Sequence, residues 1–180
     1  QLEKAKQGDK NYLFAPKSTY RTKGGGGKES KTAGTNIENG VITYFNMDSY
    51  DEKKDSVRLT YLNLKGDTLA SYSNHDKKKE NKLKVEKGSN KFVWNTRTEG
   101  AEKFDGMILW WASLNGAKVV PGNYMVSLNV NDKLQNQPFE IKADPRAEVN
   151  LEQMQEQYDF VFDVNQTIDK AHKSIKKIRK

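Results

Sequence analysis

Apolar and polar residues alternate over several short stretches between residues 40 and 143, which is typical of half-buried β-strands. The chain is organised around Gly88–Asn131, where Phe92 and Trp94 share one face of a predicted strand. A second strand in that segment places four apolar residues on one face: Tyr124, Val126, Leu128 and Val130. Further strands are predicted at residues 40–46, 56–63, 68–72, 107–111 and 135–142, with a short edge strand at 82–86.

Turn signals separate these predicted strands. Leu64–Asp67 predicts a hairpin, Asp132-Lys133 closes another, and Val120–Asn123 suits a type II turn because proline fixes φ and glycine accepts a positive φ. Short, evenly spaced strands joined by turns indicate a mainly β fold. We therefore expect an antiparallel β-sandwich of the immunoglobulin or fibronectin type.

The pattern changes to a helical period after Pro145. Asn150 is a candidate N-cap, with Gln153 placed to complete a capping box. The predicted long C-terminal α-helix has an apolar stripe that we take as an interaction surface: Leu151, Met154, Tyr158, Val161, Ile168 and Ile175. A second row widens it: Phe160, Val164, Ala171 and Ile178. A helix of this length is longer than a small β-sandwich. Its far end therefore needs a partner, such as another domain or a second protomer.

The first 39 residues are poorly patterned. Tyr12–Pro16 and Tyr20-Arg21 predict a short edge strand or an extended strap, followed by a glycine-rich loop at Gly24–Gly27. A phosphate-binding loop does not fit, because Glu29 follows Lys28 and no strand precedes the glycines. The predicted organisation is a strap over 1–39, a β-sandwich domain over 40–143, and a linker with the helix over 144–180.

Composition limits the partners. The 180 residues can bury one core, and the formal net charge of +7 comes mainly from Lys77–Lys79 and the end of the helix. Neither basic cluster is interleaved with aromatic residues, so we expect no nucleic-acid binding. The chain has no long apolar run and no cysteine, so we expect no membrane insertion and no disulfide.

Candidates for chemistry are few. His75 and His172 have no second histidine or cysteine near them, and the acidic loop Asp48–Asp55 lacks the spacing of a calcium loop, so we predict no catalytic residue, metal or cofactor. The remaining candidates for ligand binding are Trp94, Trp110 and Trp111, which could stack on sugar rings. Packing inside the protein is the stronger interpretation. Neighbours on a strand face opposite sides, so at most one of Trp110 and Trp111 would join the core.

Residues 88–111 and 120–146, with their Phe92-Val93-Trp94 and Pro121–Tyr124 blocks, resemble the C-terminal domain of bacterial BNR-repeat proteins known as glycosyl hydrolases. Those proteins carry a sortilin-like propeller upstream and are frequent among Bacteroidetes. The middle of the chain also resembles the immunoglobulin-like domain of the flagellar hook-capping protein. The chain departs from the family at Asn95, where an acidic residue is usual, and at Asn36-Ile37, where a proline pair is usual.

The resemblance implies a non-catalytic accessory domain of an exported protein, which packs against the upstream propeller or another partner. The hydrolase label belongs to the propeller, whose repeats this sequence does not contain, so we expect no enzymatic activity from this chain. Two alternatives stay open. One is a carbohydrate-binding module that uses exposed tryptophan, and the other is a homodimerisation module that uses the C-terminal helix.

Overall fold

The computed structural model describes residues 11–22, 40–148 and 150–179, and the protein in this range is mainly β, with two sheets and one C-terminal α-helix. The predicted glycine-rich loop lies outside the described residues. The chain divides into two compact units. Unit 1 contains all the strands, and unit 2 consists of Thr96–Val120 and the segment from Glu148 onwards.

Eight strands form the described part of unit 1. They are β1 (Asn11–Leu13), β2 (Thr19–Arg21), β3 (Val41–Met47), β4 (Val57–Leu62), β5 (Thr68–Ser73), β6 (Gly88–Trp94), β7 (Gly122–Val130) and β8 (Lys133–Ala143). A single 3₁₀ turn, Lys79–Asn81, lies between β5 and β6.

The strands pair into a three-stranded sheet of order β1-β3-β6 and a five-stranded sheet of order β2-β8-β7-β4-β5. All pairings are antiparallel except that of β2 with β8, which is parallel. The five-stranded sheet curls into a half-barrel. The two short strands predicted as an edge strand or strap are thus divided between the sheets, with β1 on one and β2 on the other.

Alternating burial confirms the period-two pattern read from the sequence. In β4 the buried residues are Val57, Leu59 and Tyr61, while Arg58 is exposed. In β7 the apolar row beginning at Tyr124 is buried, as predicted. Apolar side chains at every second position therefore turn inward on β4 and β7.

Aromatic side chains from both sheets meet in the core of unit 1. Trp94 on β6 is fully buried and lies stacked on Tyr61 of β4, with ring centroids 4.4 Å apart. Phe139 of β8 meets the edge of Trp94 at 6.4 Å. Two of these rings come from one sheet and one from the other, so this cluster ties the sheets together.

Strand β1 ties the sheets together a second time. Its backbone pairs with β3, and the side chain of Gln135 on β8 accepts a hydrogen bond from Leu13 N at 2.8 Å and donates one to Asn11 O at 2.8 Å. Gln137 donates to Leu13 O at 3.1 Å. The amide side chains of β8 thus satisfy the backbone groups that β1 leaves unpaired.

Of three predicted turns, one is confirmed, one is shifted by a residue and one is absent. The Leu64–Asp67 turn joins β4 to β5. Between β7 and β8 the two-residue turn is Asn131-Asp132, both at positive φ, one residue before the predicted Asp132-Lys133. The type II turn predicted at Val120–Asn123 is absent. Gly122 instead begins β7, where it pairs with Ile141 and has no positive φ. The ladder between β7 and β8 therefore includes a residue that was predicted to lie in the turn.

Two predicted strands are also missing. Residues 82–86 contribute a single bridge, between Lys82 and Ser73, rather than a strand. Residues 107–111 form a loop, since Thr96–Val120 makes no ladder longer than the one bridge between Arg97 and Lys118. An apolar run alone does not distinguish a strand from a loop that is held by another element.

The helix α1 (Leu151–Ile178) begins as predicted. The Asn150 side chain accepts from Gln153 N at 2.8 Å, and the Gln153 side chain accepts from Asn150 N at 3.2 Å, so the capping box is complete. At 28 residues the helix is about 42 Å long. It shares unit 2 with Thr96–Val120, whereas the predicted division placed that segment inside a domain over 40–143.

Candidate interaction surface

The segment Thr96–Val120 folds back on itself at its base. Val119 N donates to Thr96 O at 2.8 Å, Thr98 N donates to Ala117 O at 2.9 Å, and Ala101 N donates to Leu114 O at 3.1 Å. These bonds bring the two arms of the segment side by side. We call this segment the arm loop and residues 107–111 its tip.

Two glycines permit the close approach of the arms. A Cβ atom at Gly116 would collide with the Thr98 carbonyl oxygen, and one at Gly100 would collide with that of Leu114. In both places a side chain would push against backbone rather than against a flexible side chain. Glycine is therefore required where the two arms lie against each other.

Glu102 attaches the arm loop to the helix. Its backbone N donates to Asp169 Oδ1 at 2.9 Å, and its carbonyl oxygen accepts from His172 Nδ1 at 2.7 Å. Its carboxylate lies 2.7 Å from Lys176 Nζ. A carbonyl can only accept, so His172 carries its proton on Nδ1 in this contact. His172 thus has a positioning role in the described structure.

Phe104 continues the attachment towards the end of the helix. Its ring meets His172 edge to face at 5.2 Å, and the Arg179 guanidinium lies 5.0 Å from the ring centroid. Arg179 also donates to Asp105 O at 3.2 Å. Residues 102–105 therefore follow the last turns of the helix, and the tip comes immediately after them in the chain.

The tip presents large apolar side chains to solvent. Ile108 is 81% exposed, Trp110 is 86% exposed and Trp111 is 98% exposed. Both tryptophans are outside the core, although packing was the interpretation that the sequence favoured. The reason is that they lie on a loop, so the rule that alternate strand residues face opposite sides does not apply to them.

Trp94 has the opposite environment. It is buried between Tyr61 and Phe139, so its ring has no face available to a ligand, and the structure removes it from the three predicted ligand-binding tryptophans. On β6 every second residue faces inward, and this alternation is the sequence signal that predicts the burial of Trp94.

Most of the predicted helix stripe is covered. Met154 is buried, and Tyr158, Val161, Ile168 and Ile175 are half-buried, whereas Leu151 is exposed. The second row is bare: Phe160, Val164, Ala171 and Ile178 are all exposed. The free apolar face of α1 is therefore this second row.

The acidic loop between β3 and β4 is held by internal hydrogen bonds. The Asp55 carboxylate accepts from Asp51 N at 2.7 Å and from the Asn131 side chain at 2.7 Å, and these bonds lower the pKa of Asp55. Within residues 11–22, 40–148 and 150–179 there is no group of three or more potential metal ligands. The Asp55 carboxylate thus links this loop to Asn131.

Comparison with known proteins assigns no relative. No family model matches the chain, and neither curated proteins nor solved structures give a significant match. Among the described residues, no helix is long and apolar enough to cross a membrane. The resemblance to propeller-associated domains stays a prediction from the sequence.

Proposed function

We propose that this chain is a non-catalytic accessory domain of an exported, propeller-containing bacterial protein of the glycosyl hydrolase-associated type, and that it packs against the propeller or a partner. The observation that supports this role is the tip of the arm loop. Its three exposed apolar side chains lie within four consecutive residues, and soluble proteins rarely leave such a group uncovered. Tryptophan is also the residue type most enriched at the energetic centres of protein interfaces.

We further propose that unit 1 is an immunoglobulin-like sandwich. Support comes from the stacking of Tyr61 on Trp94 and from the contacts of β1 with β8, which join side chains of the two sheets.

The arm loop suits docking because its base is fixed and its tip is free. Glu102 and Phe104 are held to α1 by hydrogen bonds, an ion pair and ring contacts, so little ordering of these residues remains to be done on binding. Trp110 and Trp111 follow these held residues closely in the chain and stay exposed. The contact surface that we propose is therefore Ile108 with these two tryptophans.

Binding of the chain to the separately produced upstream region of the natural protein tests this role. Calorimetry with Trp110→Ala and Trp111→Ala is expected to show a loss of affinity of at least about tenfold for each variant. Tyr44→Ala is the matched control, since it removes an exposed aromatic side chain from the three-stranded sheet. Equal affinity for all four proteins would contradict the role of the tip, and reproducible glycoside turnover by the chain would contradict the non-catalytic role.

A carbohydrate-binding module is the second candidate, and the exposure of Trp110 and Trp111 is the observation that favours it. Exposed indole rings can stack on sugar faces, and the basic balance of the chain would favour acidic glycans. A glycan array with Trp110→Ala and Trp111→Ala as controls separates the two functions. Binding that depends on either ring supports the module, and signal at background level rejects it.

A further inference from the structure

The bare row of α1 is a regular apolar surface on one face of the helix. Phe160 is 71% exposed and Ile178 is 83% exposed, and Val164 and Ala171 between them are exposed as well. The residues are separated by four, seven and seven positions. At 100° per residue they fall within about 40° of arc, which is the geometry of a seam between two helices.

The remaining positions of the seam carry polar residues. Gln157, Thr167 and Ser174 complete a heptad pattern with the bare row, and all three are exposed. Small side chains at Thr167, Ala171 and Ser174 allow a second helix to approach closely. The two largest side chains of the seam, Phe160 and Ile178, lie on either side of this stretch of small residues.

Charge is distributed unevenly along α1. Every charged residue from Leu151 to Asp163 is acidic, and every charged residue from Lys170 to Ile178 is basic. Between these halves stands Asp169, whose carboxylate lies 2.6 Å from Lys173. The helix therefore carries opposite charges at its two ends, in the order that also favours its own macrodipole.

One column of charges flanks the seam directly. Its members recur every seven residues and precede the seam positions by one: Glu156, Asp163, Lys170 and Lys177. All four are exposed. The opposite flank is occupied by Val161, Ile168 and Ile175, which are apolar and half-buried.

This arrangement selects one orientation for a second helix. In a parallel pair, the charged column of one copy would face the apolar flank of the other and find no counter-charge. In an antiparallel pair, the two charged columns face each other, so that acidic residues of one copy meet lysines of the other. The chain's own charge pattern is thus complementary to a reversed copy of itself.

We propose that two copies of this chain associate through antiparallel α1 helices, with Glu156 facing Lys177 and Asp163 facing Lys170 of the second copy. In this register Phe160 lies opposite the small Ala171 of the second copy, which lets a large side chain fill the space beside a small one. This inference concerns the helix rather than the tip of the arm loop. It can therefore fail without affecting the proposed accessory role, and the converse holds too.

Charge exchange tests the association. Light scattering and sedimentation across a concentration series are expected to show a concentration-dependent dimer for the unmodified chain. Lys170→Glu/Lys177→Glu and Glu156→Lys/Asp163→Lys should each weaken self-association at least about tenfold, because like charges then face each other. An equimolar mixture of the two variants should restore the dimer. The control Glu152→Lys/Asp159→Lys makes the same change of charge away from the column and should leave the dimer unchanged.

Cross-linking tests the orientation, and the absence of native cysteine makes single-cysteine variants unambiguous. Gln157→Cys and Ser174→Cys lie in the same layer of the proposed antiparallel pair. A short thiol-reactive cross-linker should join one variant to the other and leave each variant alone uncoupled. A concentration-independent monomer would overturn the proposal, and so would coupling of Gln157→Cys to itself, which the proposed antiparallel register does not allow.

Discussion

The Tyr61 hydroxyl on β4 lies 2.7 Å from the Thr43 hydroxyl on β3, so a buried hydrogen bond links the two sheets of unit 1. Both side chains are completely enclosed, and Tyr61 also stacks on Trp94. A buried hydroxyl that loses its partner keeps the full cost of its desolvation. This bond is therefore a sensitive probe of how the sheets are joined.

Removing one of the two hydroxyls should lower the free energy of unfolding more than removing both does. Tyr61→Phe leaves the Thr43 hydroxyl buried without its partner and should lower the free energy of unfolding by about 1–3 kcal/mol. The double variant Tyr61→Phe/Thr43→Val replaces both hydroxyls with apolar groups of similar shape and should recover part of that loss. Urea unfolding of Tyr61→Phe, Thr43→Val and the double variant measures this coupling. A loss of stability in the double variant equal to the sum of the two single losses would contradict it.

Alkaline pH should destabilise unit 1 through Tyr61. Burial raises the pKa of Tyr61 well above its ordinary value of 10.0, despite the hydrogen bond from Thr43. The folded state therefore keeps the phenol neutral where the unfolded state ionises it. The stability contributed by the neutral form is present below pH 10 and falls as the pH rises above it, at about 1.4 kcal/mol per pH unit.

Comparison of the unmodified chain with Tyr61→Phe isolates this effect. Urea unfolding between about pH 8 and about pH 11 should show a steeper loss for the unmodified chain, because the variant has no phenol to ionise at that position. If the stability of both proteins fell equally with rising pH, the buried phenol would not be responsible for the loss.

Because the two arms of the arm loop lie in close contact at Gly116, we expect alanine at this position to lower the stability of unit 2. Gly116→Ala should destabilise unit 2 by about 1–3 kcal/mol, since the new methyl group meets the Thr98 carbonyl. Gly122→Ala is the matched control, because a Cβ atom there has only an ordinary contact with the Tyr124 ring, at 3.9 Å. Thermal unfolding followed by circular dichroism compares them, and an equal effect of the two substitutions would argue against the close approach of the arms.

The capping box predicts a local effect at the start of α1. Asn150→Ala removes the acceptor of the Gln153 N–H and should cost about 1 kcal/mol. Hydrogen exchange should then quicken in the first turn of the helix. Gln166→Ala, an exposed change within the helix, serves as the control. Protection of the first turn that is unaffected by Asn150→Ala would exclude a role for the cap.

Local patterns were sufficient to predict much of unit 1 and the start of the helix. The period-two rows of β4 and β7 and the Asn150–Gln153 pair involve residues close in sequence, where the physical signal is strong. Burial of Trp94 followed from the same alternation on β6. Local patterns also placed the β4–β5 turn, and they placed the β7–β8 turn to within one residue.

The candidate surface depended on contacts that local patterns do not contain. Glu102 meets Asp169, His172 and Lys176 about seventy positions further along the chain, and residues 107–111, which follow it, form a loop rather than a strand. The apolar run Met107–Trp111 reads as a strand when its neighbours are unknown. For the same reason, the sequence did not reveal which of the two apolar rows of α1 would stay bare.

Oxidative footprinting of Trp110 and Trp111 tests the proposed docking role most directly. Trypsin releases both in the peptide of residues 104–118 and releases Trp94 in the peptide of residues 92–97, so a buried internal reference is built into the chain. The isolated chain should be oxidised rapidly at Trp110 and Trp111 and slowly at Trp94. In the complete natural polypeptide, Trp110 and Trp111 should become protected to the level of Trp94, whereas unchanged oxidation of both would contradict the accessory docking role.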